Sequence, residues 1–167
     1  TFLVVRKLRQ DVKALNTVLD SQKYLSRDDL KAKMMGRRID GTPLAEPLAP
    51  DINDFDYQND LDGGKCPFQA HIRRANPRPS APDKPIPRIM RRGMPYGPRF
   101  EDQPDKERGL IFMAYNASIA EQFEVIQRWI SGGNSSGVFS GQSDPLLGVP
   151  QRGDPRTLRF LHGNDIP

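Results

Sequence analysis

The sequence has few of the features that would mark a membrane protein, a disulfide-rich protein or a nucleic-acid-binding protein. Its 167 residues include one cysteine, Cys66, so an internal disulfide cannot form. No apolar run approaches the ~20 residues that span a bilayer, and we expect no membrane partner. Lys and Arg number 25 against 21 Asp and Glu, and the two signs are interspersed, so we expect no nucleic-acid partner. The 16 prolines and a mean hydropathy of −0.66 predict many loops around a small core.

Several common site motifs are also absent from the sequence. It contains no nucleophile elbow, phosphate-binding loop or dinucleotide fingerprint. A structural zinc site needs four ligands, whereas Cys66 and His71 offer only two close together. The acidic stretch 54–60 lacks the turn glycine and the distal glutamate of a calcium loop, because Asn59 and Lys65 occupy those positions. We therefore expect 54–60 to be part of a solvated surface loop.

The residue pattern predicts an α+β fold. β-Branched apolar runs indicate strands, and apolar residues three and four apart indicate helices. Ser26 is the expected cap of one helix, and Asn116 or Ser118 is the expected cap of the last one. The order in which the strands and helices occur along the chain predicts a ferredoxin-like fold, which is an antiparallel sheet with helices packed on it. We expect a single domain over 1–167 with a long insertion over about 36–87. The predicted elements are strand 2–5, helix 8–19, helix 26–36, surface loop 40–64, helix 67–76, strands 88–92 and 110–113, helix 118–130, and a weaker strand signal over 157–161.

Two residues suggest cofactor chemistry. His71 stands on a predicted helix face with Phe68 and Ala75, and Arg91 lies on a basic strand. An imidazole and a guanidinium on separate elements could flank a planar metal cofactor. The alternatives are a core histidine bonded to a carbonyl and an exposed strand arginine paired with a carboxylate. Spacing alone leaves both alternatives open.

Six stretches of the sequence occur in an order that points to a known family. They are TFLVVRKLRQDV, AKMMGRRIDGTPLA, DFDYQNDLDGGKCPFQAHIRRANPR, RIMRRGMPYGP, RGLIFMAYNASIAEQFEVIQRWI and SDPLLG. In this order they resemble the C-terminal half of the haem-dependent dye-decolourising peroxidases. The resemblance covers nearly the whole chain, and it implies one half of a dimeric α+β barrel-type fold in which the insertion binds haem b.

The resemblance implies a set of cofactor-binding residues. His71 would be the axial ligand of the haem iron through Nε2. A carboxylate commonly holds the other ring nitrogen of such a ligand, and Asp144 is the candidate here. Arg73 and Arg78 are candidates for pairing with the haem propionates.

The resemblance also implies catalytic residues and substrates. Arg91 corresponds to the distal arginine, which stabilises negative charge as the peroxide O–O bond breaks and also contacts the cofactor. Phe112 and Leu110 would line the same side of the pocket. The implied reaction is the oxidation of a bulky phenolic or dye-like aromatic electron donor by hydrogen peroxide. For the full-length protein we expect a homo-oligomer, in the cytoplasm or outside the cell.

The sequence departs from the family in one respect. The family has a catalytic aspartate in a G-x-x-D-G motif, and Asp62, which precedes two glycines, has no glycine three residues before it. The first ferredoxin-like half of the family and the aromatic-rich strand near its C-terminus have no counterpart here either, so we expect a fragment truncated at both ends. A non-enzymatic haem-binding or haem-handling domain is the alternative function, and a purely structural interaction domain is a third.

Overall fold

The computed structural model describes residues 1–78, 86–133, 143–149, 158 and 160. The chain divides into two compact units, the first comprising Thr1–Leu25 and Pro87–Val125 and the second Ser26–Ile86 and Ile126–Pro167. The predicted insertion falls inside the second unit. The predicted strand over 157–161 lies largely outside the described residues. None of the described helices has the length and apolar character needed to cross a membrane.

The first unit contains a three-stranded antiparallel sheet. Its strands are β1 (Phe2–Arg9), β2 (Met90–Tyr96) and β3 (Gly109–Asn116), with β3 in the centre. β1 continues through Leu8, where the apolar spacing predicted that a helix begins. Helix α1 (Val12–Ser21) begins later, because the Asp11 carboxylate accepts a hydrogen bond from the backbone N–H of Ala14.

The two faces of the sheet have different surroundings. Residues opposite each other on antiparallel strands share a face, so the register assigns every side chain to one side. On one face Ala114 is fully buried, and the ring of Phe112 lies 6.3 Å from that of Phe123. The other face carries large apolar side chains that are 40% to 71% exposed. These are Leu3, Val5, Met90, Met94 and Tyr115.

Helix α2 (Arg27–Met35) of the second unit has the predicted ends. The Ser26 hydroxyl accepts a hydrogen bond from the backbone N–H of Asp29, and Gly36 ends the helix in the left-handed region at φ 92°. A Cβ atom on Gly36 would lie 2.5 Å from Cγ1 of Ile72. Glycine therefore also allows α2 and the helix that carries Ile72 to approach closely.

The stretch predicted as a solvated surface loop supplies much of the core of the second unit. Phe55, Tyr57 and Asp60 are at most 5% exposed, and the two rings meet edge to face with centroids 5.7 Å apart. The expectation of a solvated loop is therefore wrong for these three residues. They are buried without helical or strand periodicity, so the pattern gave no signal for them. The buried cluster also contains Ala32, Leu44, Ala45, Cys66 and Ala70.

The last described helix starts at Ser118, one of its two predicted caps. The Ser118 hydroxyl accepts a hydrogen bond from the backbone N–H of Glu121. One π-helical turn (Ile119–Phe123) follows and leads into α4 (Glu124–Ile130). The apolar spacing predicts a buried stripe of Ile119, Phe123, Ile126 and Ile130 on this helix. Ile126 and Ile130 are buried, Ile119 and Phe123 are only partly buried, and Trp129, outside that stripe, is also buried.

Candidate functional site

His71 is the first residue of a five-residue helix, α3 (His71–Ala75). The prediction that this helix begins at Pro67 is wrong, because the preceding residues form a turn in which the Ala70 N–H donates to the Pro67 carbonyl at 3.0 Å. The first helical hydrogen bond runs from the Arg74 N–H to the Ala70 carbonyl at 2.9 Å. His71 is therefore presented at the junction between the turn and the helix.

The imidazole of His71 is held by a buried carboxylate. Its Nδ1 lies 2.6 Å from Oδ2 of Asp144, whose side chain is fully buried, whereas the His71 side chain is 25% exposed. The other carboxylate oxygen, Oδ1, accepts the backbone N–H groups of Leu146 and Leu147 at 2.7 and 2.9 Å. Residues 71 and 144 were paired in the sequence analysis, and the structure places them in contact.

This arrangement fixes the chemistry of the imidazole. A carboxylate is a hydrogen-bond acceptor, so Nδ1 of His71 donates its hydrogen to Asp144 and the neutral ring keeps a lone pair on Nε2. Nε2 has no hydrogen-bond partner among the described residues. A single, partly exposed imidazole nitrogen backed by a carboxylate suits iron in a porphyrin, which takes only an axial ligand from the protein. The residues present therefore fit a haem.

Arg73 occupies a different environment from the propionate site expected for it. It is 3% exposed, and its Nη1 donates to Asp60 Oδ2 at 2.8 Å and to the Cys66 carbonyl at 2.6 Å. The guanidinium also stacks between Tyr57 and Phe68, at 4.3 and 4.6 Å from the ring centroids. The structure therefore assigns Arg73 to the core, where it neutralises Asp60.

Arg78 is half-buried and stacks on an aromatic ring. Its guanidinium lies 3.7 Å from the centroid of Phe55 and donates to the Phe55 carbonyl. Burial lowers the pKa of Arg78, which nevertheless remains charged at any physiological pH. Its pairing with a propionate stays a prediction.

Cys66 is a core thiol. It is fully buried, and burial raises the pKa of the thiol from 9.0 to about 12. A protonated thiol is a poor metal ligand. Cys66 therefore contributes packing to the second unit.

The predicted catalytic residues of the first unit share one face of the sheet. Arg91 lies opposite Ala114, and Gly93 lies opposite Phe112. Leu110 precedes Phe112 by two residues on β3 and therefore points to the same side. A Cβ atom on Gly93 would lie 3.0 Å from Cδ1 of Leu110, so the glycine makes room for that side chain. The face combines two exposed arginines, Arg91 and Arg6, with the apolar side chains of Phe112 and Leu110, and Arg6 lies opposite Phe112 on β1.

Arg74 is a buried residue that the sequence analysis did not single out. It is 1% exposed, and its Nη1 donates to the Gly133 carbonyl at 3.2 Å. Burial lowers the pKa of its guanidinium, and the charge of Asp144 partly offsets that shift. A pair of adjacent arginines such as Arg73 and Arg74 on a short helix is more typical of a solvated helix face. The sequence carries no signal for its burial, because the burial of Arg74 depends on partners elsewhere in the fold.

Comparison with known proteins identifies the family. Residues 1–138 match the family model for the C-terminal part of the Dyp-type peroxidases. The chain belongs to the dye-decolourising (DyP-type) peroxidase family. It is 37% identical over 185 residues to the multifunctional dye peroxidase DyP2 of an Amycolatopsis species, a match that covers 91% of this chain and 39% of the relative. It is 33% identical over 201 residues to the dye-decolorizing peroxidase msp1 of Mycetinis scorodonius, covering 99% of this chain and 39% of the relative.

Solved structures of the family share the fold. A dye-decolorizing peroxidase in complex with 2,6-dimethoxyphenol superposes with a TM-score of 0.75 at 29% identity, covering 87% of this chain and 41% of the other. This likeness, together with the antiparallel sheet and its helices, confirms the predicted α+β, ferredoxin-like fold. The chain spans about two fifths of the length of these relatives.

Proposed function

We propose that this chain is the haem-binding part of a peroxidase that uses hydrogen peroxide to oxidise bulky phenolic or dye-like donors. The observation that carries the proposal is the 2.6 Å contact between His71 Nδ1 and Asp144 Oδ2, which leaves Nε2 available to iron. Membership of the dye-decolourising peroxidase family supports the reaction type. A phenolic donor is supported by the family member whose structure contains 2,6-dimethoxyphenol.

In this proposal the second unit holds the cofactor. Haem, when bound, supplies the iron at which peroxide is reduced and the donor is oxidised. His71 binds the iron through Nε2, and Asp144 holds the Nδ1 hydrogen, which fixes the ring tautomer and orientation. Because Leu146 and Leu147 donate their backbone N–H groups to the same carboxylate, Asp144 is itself held in place.

Arg91 is the residue that we propose to act on peroxide. The Arg91 guanidinium stabilises the negative charge that develops on peroxide oxygen as the O–O bond breaks. Phe112 and Leu110, which share its sheet face, keep that environment apolar and strengthen the electrostatic effect of the guanidinium.

The role of His71 is tested by His71→Ala in the full-length protein. We expect loss of the haem Soret band, because the variant lacks the axial nitrogen. His162→Ala, at the other histidine of the chain, is the matched control and should keep the band. An unchanged Soret band in His71→Ala would refute the assignment of the ligand.

The role of Arg91 is tested against its neighbour on the strand. Adjacent strand residues point to opposite sheet faces, so Arg92 is a matched control of the same chemistry. We expect Arg91→Leu to keep the Soret band and to slow the reaction with hydrogen peroxide by about 10²-fold to 10³-fold. Arg92→Leu should react at the wild-type rate. Equal rates in the two variants would show that Arg91 has no special role.

A peroxide titration separates the enzyme from the alternative haem-binding domain. A stoichiometric spectral change followed by turnover of 2,6-dimethoxyphenol is expected for the peroxidase. Slow bleaching of the Soret band without turnover would instead favour a protein that binds or handles haem.

A further inference from the structure

Two buried carboxylates of the second unit are each associated with a buried arginine on helix α3. Asp60 forms an ion pair with Arg73 at 2.8 Å, whereas burial lowers the pKa of Arg74 and the charge of Asp144 partly offsets that shift. Both arginines are at most 3% exposed, although they are adjacent in the sequence. The first pair stabilises the core, whereas the second includes the carboxylate that holds His71.

Asp144 needs a counter-charge that His71 does not supply. A carboxylate without solvent exposure is costly unless a cation lies nearby. His71 is neutral when it donates the Nδ1 hydrogen to Asp144 and keeps the Nε2 lone pair for a metal. Arg74 is the buried cation that acts on Asp144, and its guanidinium is charged at any physiological pH.

The fold holds Arg74 and Asp144 at the same end of helix α4. Nη1 of Arg74 donates to the carbonyl of Gly133, three residues beyond the helix. The backbone N–H of Asp144 donates to the carbonyl of Ile130, the last residue of α4, at 2.9 Å. Arg74 and Asp144 are therefore both hydrogen-bonded to the backbone segment 130–133 at the C-terminal end of α4.

We propose that Arg74 is a positioning residue for the axial ligand. Its buried guanidinium neutralises Asp144 and thereby limits how strongly the carboxylate pulls on the Nδ1 hydrogen of His71. The inference rests on the proposed function, because it takes His71 as the iron ligand. Stronger hydrogen-bond acceptance gives the imidazole more anionic character, which favours ferric over ferrous iron. Arg74 therefore raises the reduction potential of the bound haem.

The test compares the ferric/ferrous midpoint potential of full-length variants. We expect Arg74→Met to lower the reduction equilibrium constant about tenfold, which is about 59 mV for one electron. Arg74→Lys keeps a positive charge and should retain most of the wild-type potential. Asp144→Asn removes the acceptor charge and should raise the potential. Arg74→Met added to Asp144→Asn should cause no further shift, because the group through which Arg74 acts is gone.

Each result bears on the inference. Equal shifts in Arg74→Met and Arg74→Lys, or a full shift from Arg74→Met in the Asp144→Asn background, would overturn it. If Arg74→Met does not fold, recovery of folding in the double variant supports neutralisation of Asp144, and no recovery overturns it. Failure of the proposed function itself would be seen separately, because His71→Ala would then keep the haem Soret band whatever the potentials of the Arg74 variants.

Discussion

Replacing Asp60 with asparagine should strongly destabilise the second unit. The Asp60 carboxylate is buried and accepts three hydrogen bonds, from the backbone N–H groups of Lys65 and Cys66 and from Nη1 of Arg73, at 2.8, 2.9 and 2.8 Å. The asparagine amide turns one accepting oxygen into a donor, so it faces at least one of these donors unfavourably. It also leaves the Arg73 charge without its counter-ion.

The magnitude follows from the burial of both partners. Breaking a buried ion pair by removing one charge costs about 3 to 5 kcal/mol. Arg73 cannot easily turn out to water, because it is 3% exposed and stacks between Tyr57 and Phe68. We therefore expect the full cost, which raises the opening equilibrium constant of the second unit by a factor of roughly 10² to 10⁴.

Cys66 provides the assay. Its thiol is fully buried, so a thiol reagent labels it only when the second unit opens. In the full-length protein under native conditions, mass spectrometry of the peptide that contains Cys66 gives the labelling rate, which should rise in Asp60→Asn by the factor above. Asp56→Asn is the control, since among the described residues the Asp56 carboxylate accepts one hydrogen bond, from the backbone N–H of Gln58, and forms no ion pair. The reasoning is refuted if the two variants label at rates within tenfold of each other.

Two further predictions concern a backbone position and pH. Gly97→Ala should destabilise the first unit by about 2 to 5 kcal/mol, because Gly97 has φ 84° and an added Cβ atom would clash with the Glu107 carbonyl oxygen. Amide hydrogen-exchange rates in β2 should rise in this variant, and unchanged rates would contradict the prediction. Burial raises the pKa of the Cys66 thiol from 9.0 to about 12, so the unfolded chain releases the thiol proton at a lower pH than the folded protein does. The free energy of unfolding should therefore fall by about 1.4 kcal/mol per pH unit as the pH rises from 9.0 to about 12. Cys66→Ala should flatten that part of a stability curve measured by urea unfolding, and an identical slope in the variant would count against the assignment.

Local signals predicted the parts of the fold that depend on local chemistry. Ser26 and Gly36 delimit α2 as expected, because a hydroxyl cap and a left-handed glycine act on neighbouring residues. The strand pattern located β1 and β3 but missed their ends by several residues. At Leu8 one apolar residue fits both a strand and a helix, and only pairing with Leu110 decides between them.

The sequence did not reveal which charged residues are buried. Asp60, Arg73 and Arg74 occur in stretches with the composition of a solvated surface, and their burial depends on partners elsewhere in the fold. Phe55 and Tyr57 pack without any regular spacing. The pairing of His71 with Asp144 came from the family resemblance, because a contact between residues 73 positions apart leaves no local pattern.

The short length of α3 has a consequence for the order in which the site assembles. Five residues are too few for a helix to persist alone in water, so tertiary contacts such as the Asp60–Arg73 pair hold it in place. With His71 as the proposed iron ligand, haem binding and folding of the second unit form one linked equilibrium, in which haem binds after folding and stabilises the folded state. Substitutions that never approach the porphyrin would lower its occupancy simply by loosening the peptide that presents the imidazole.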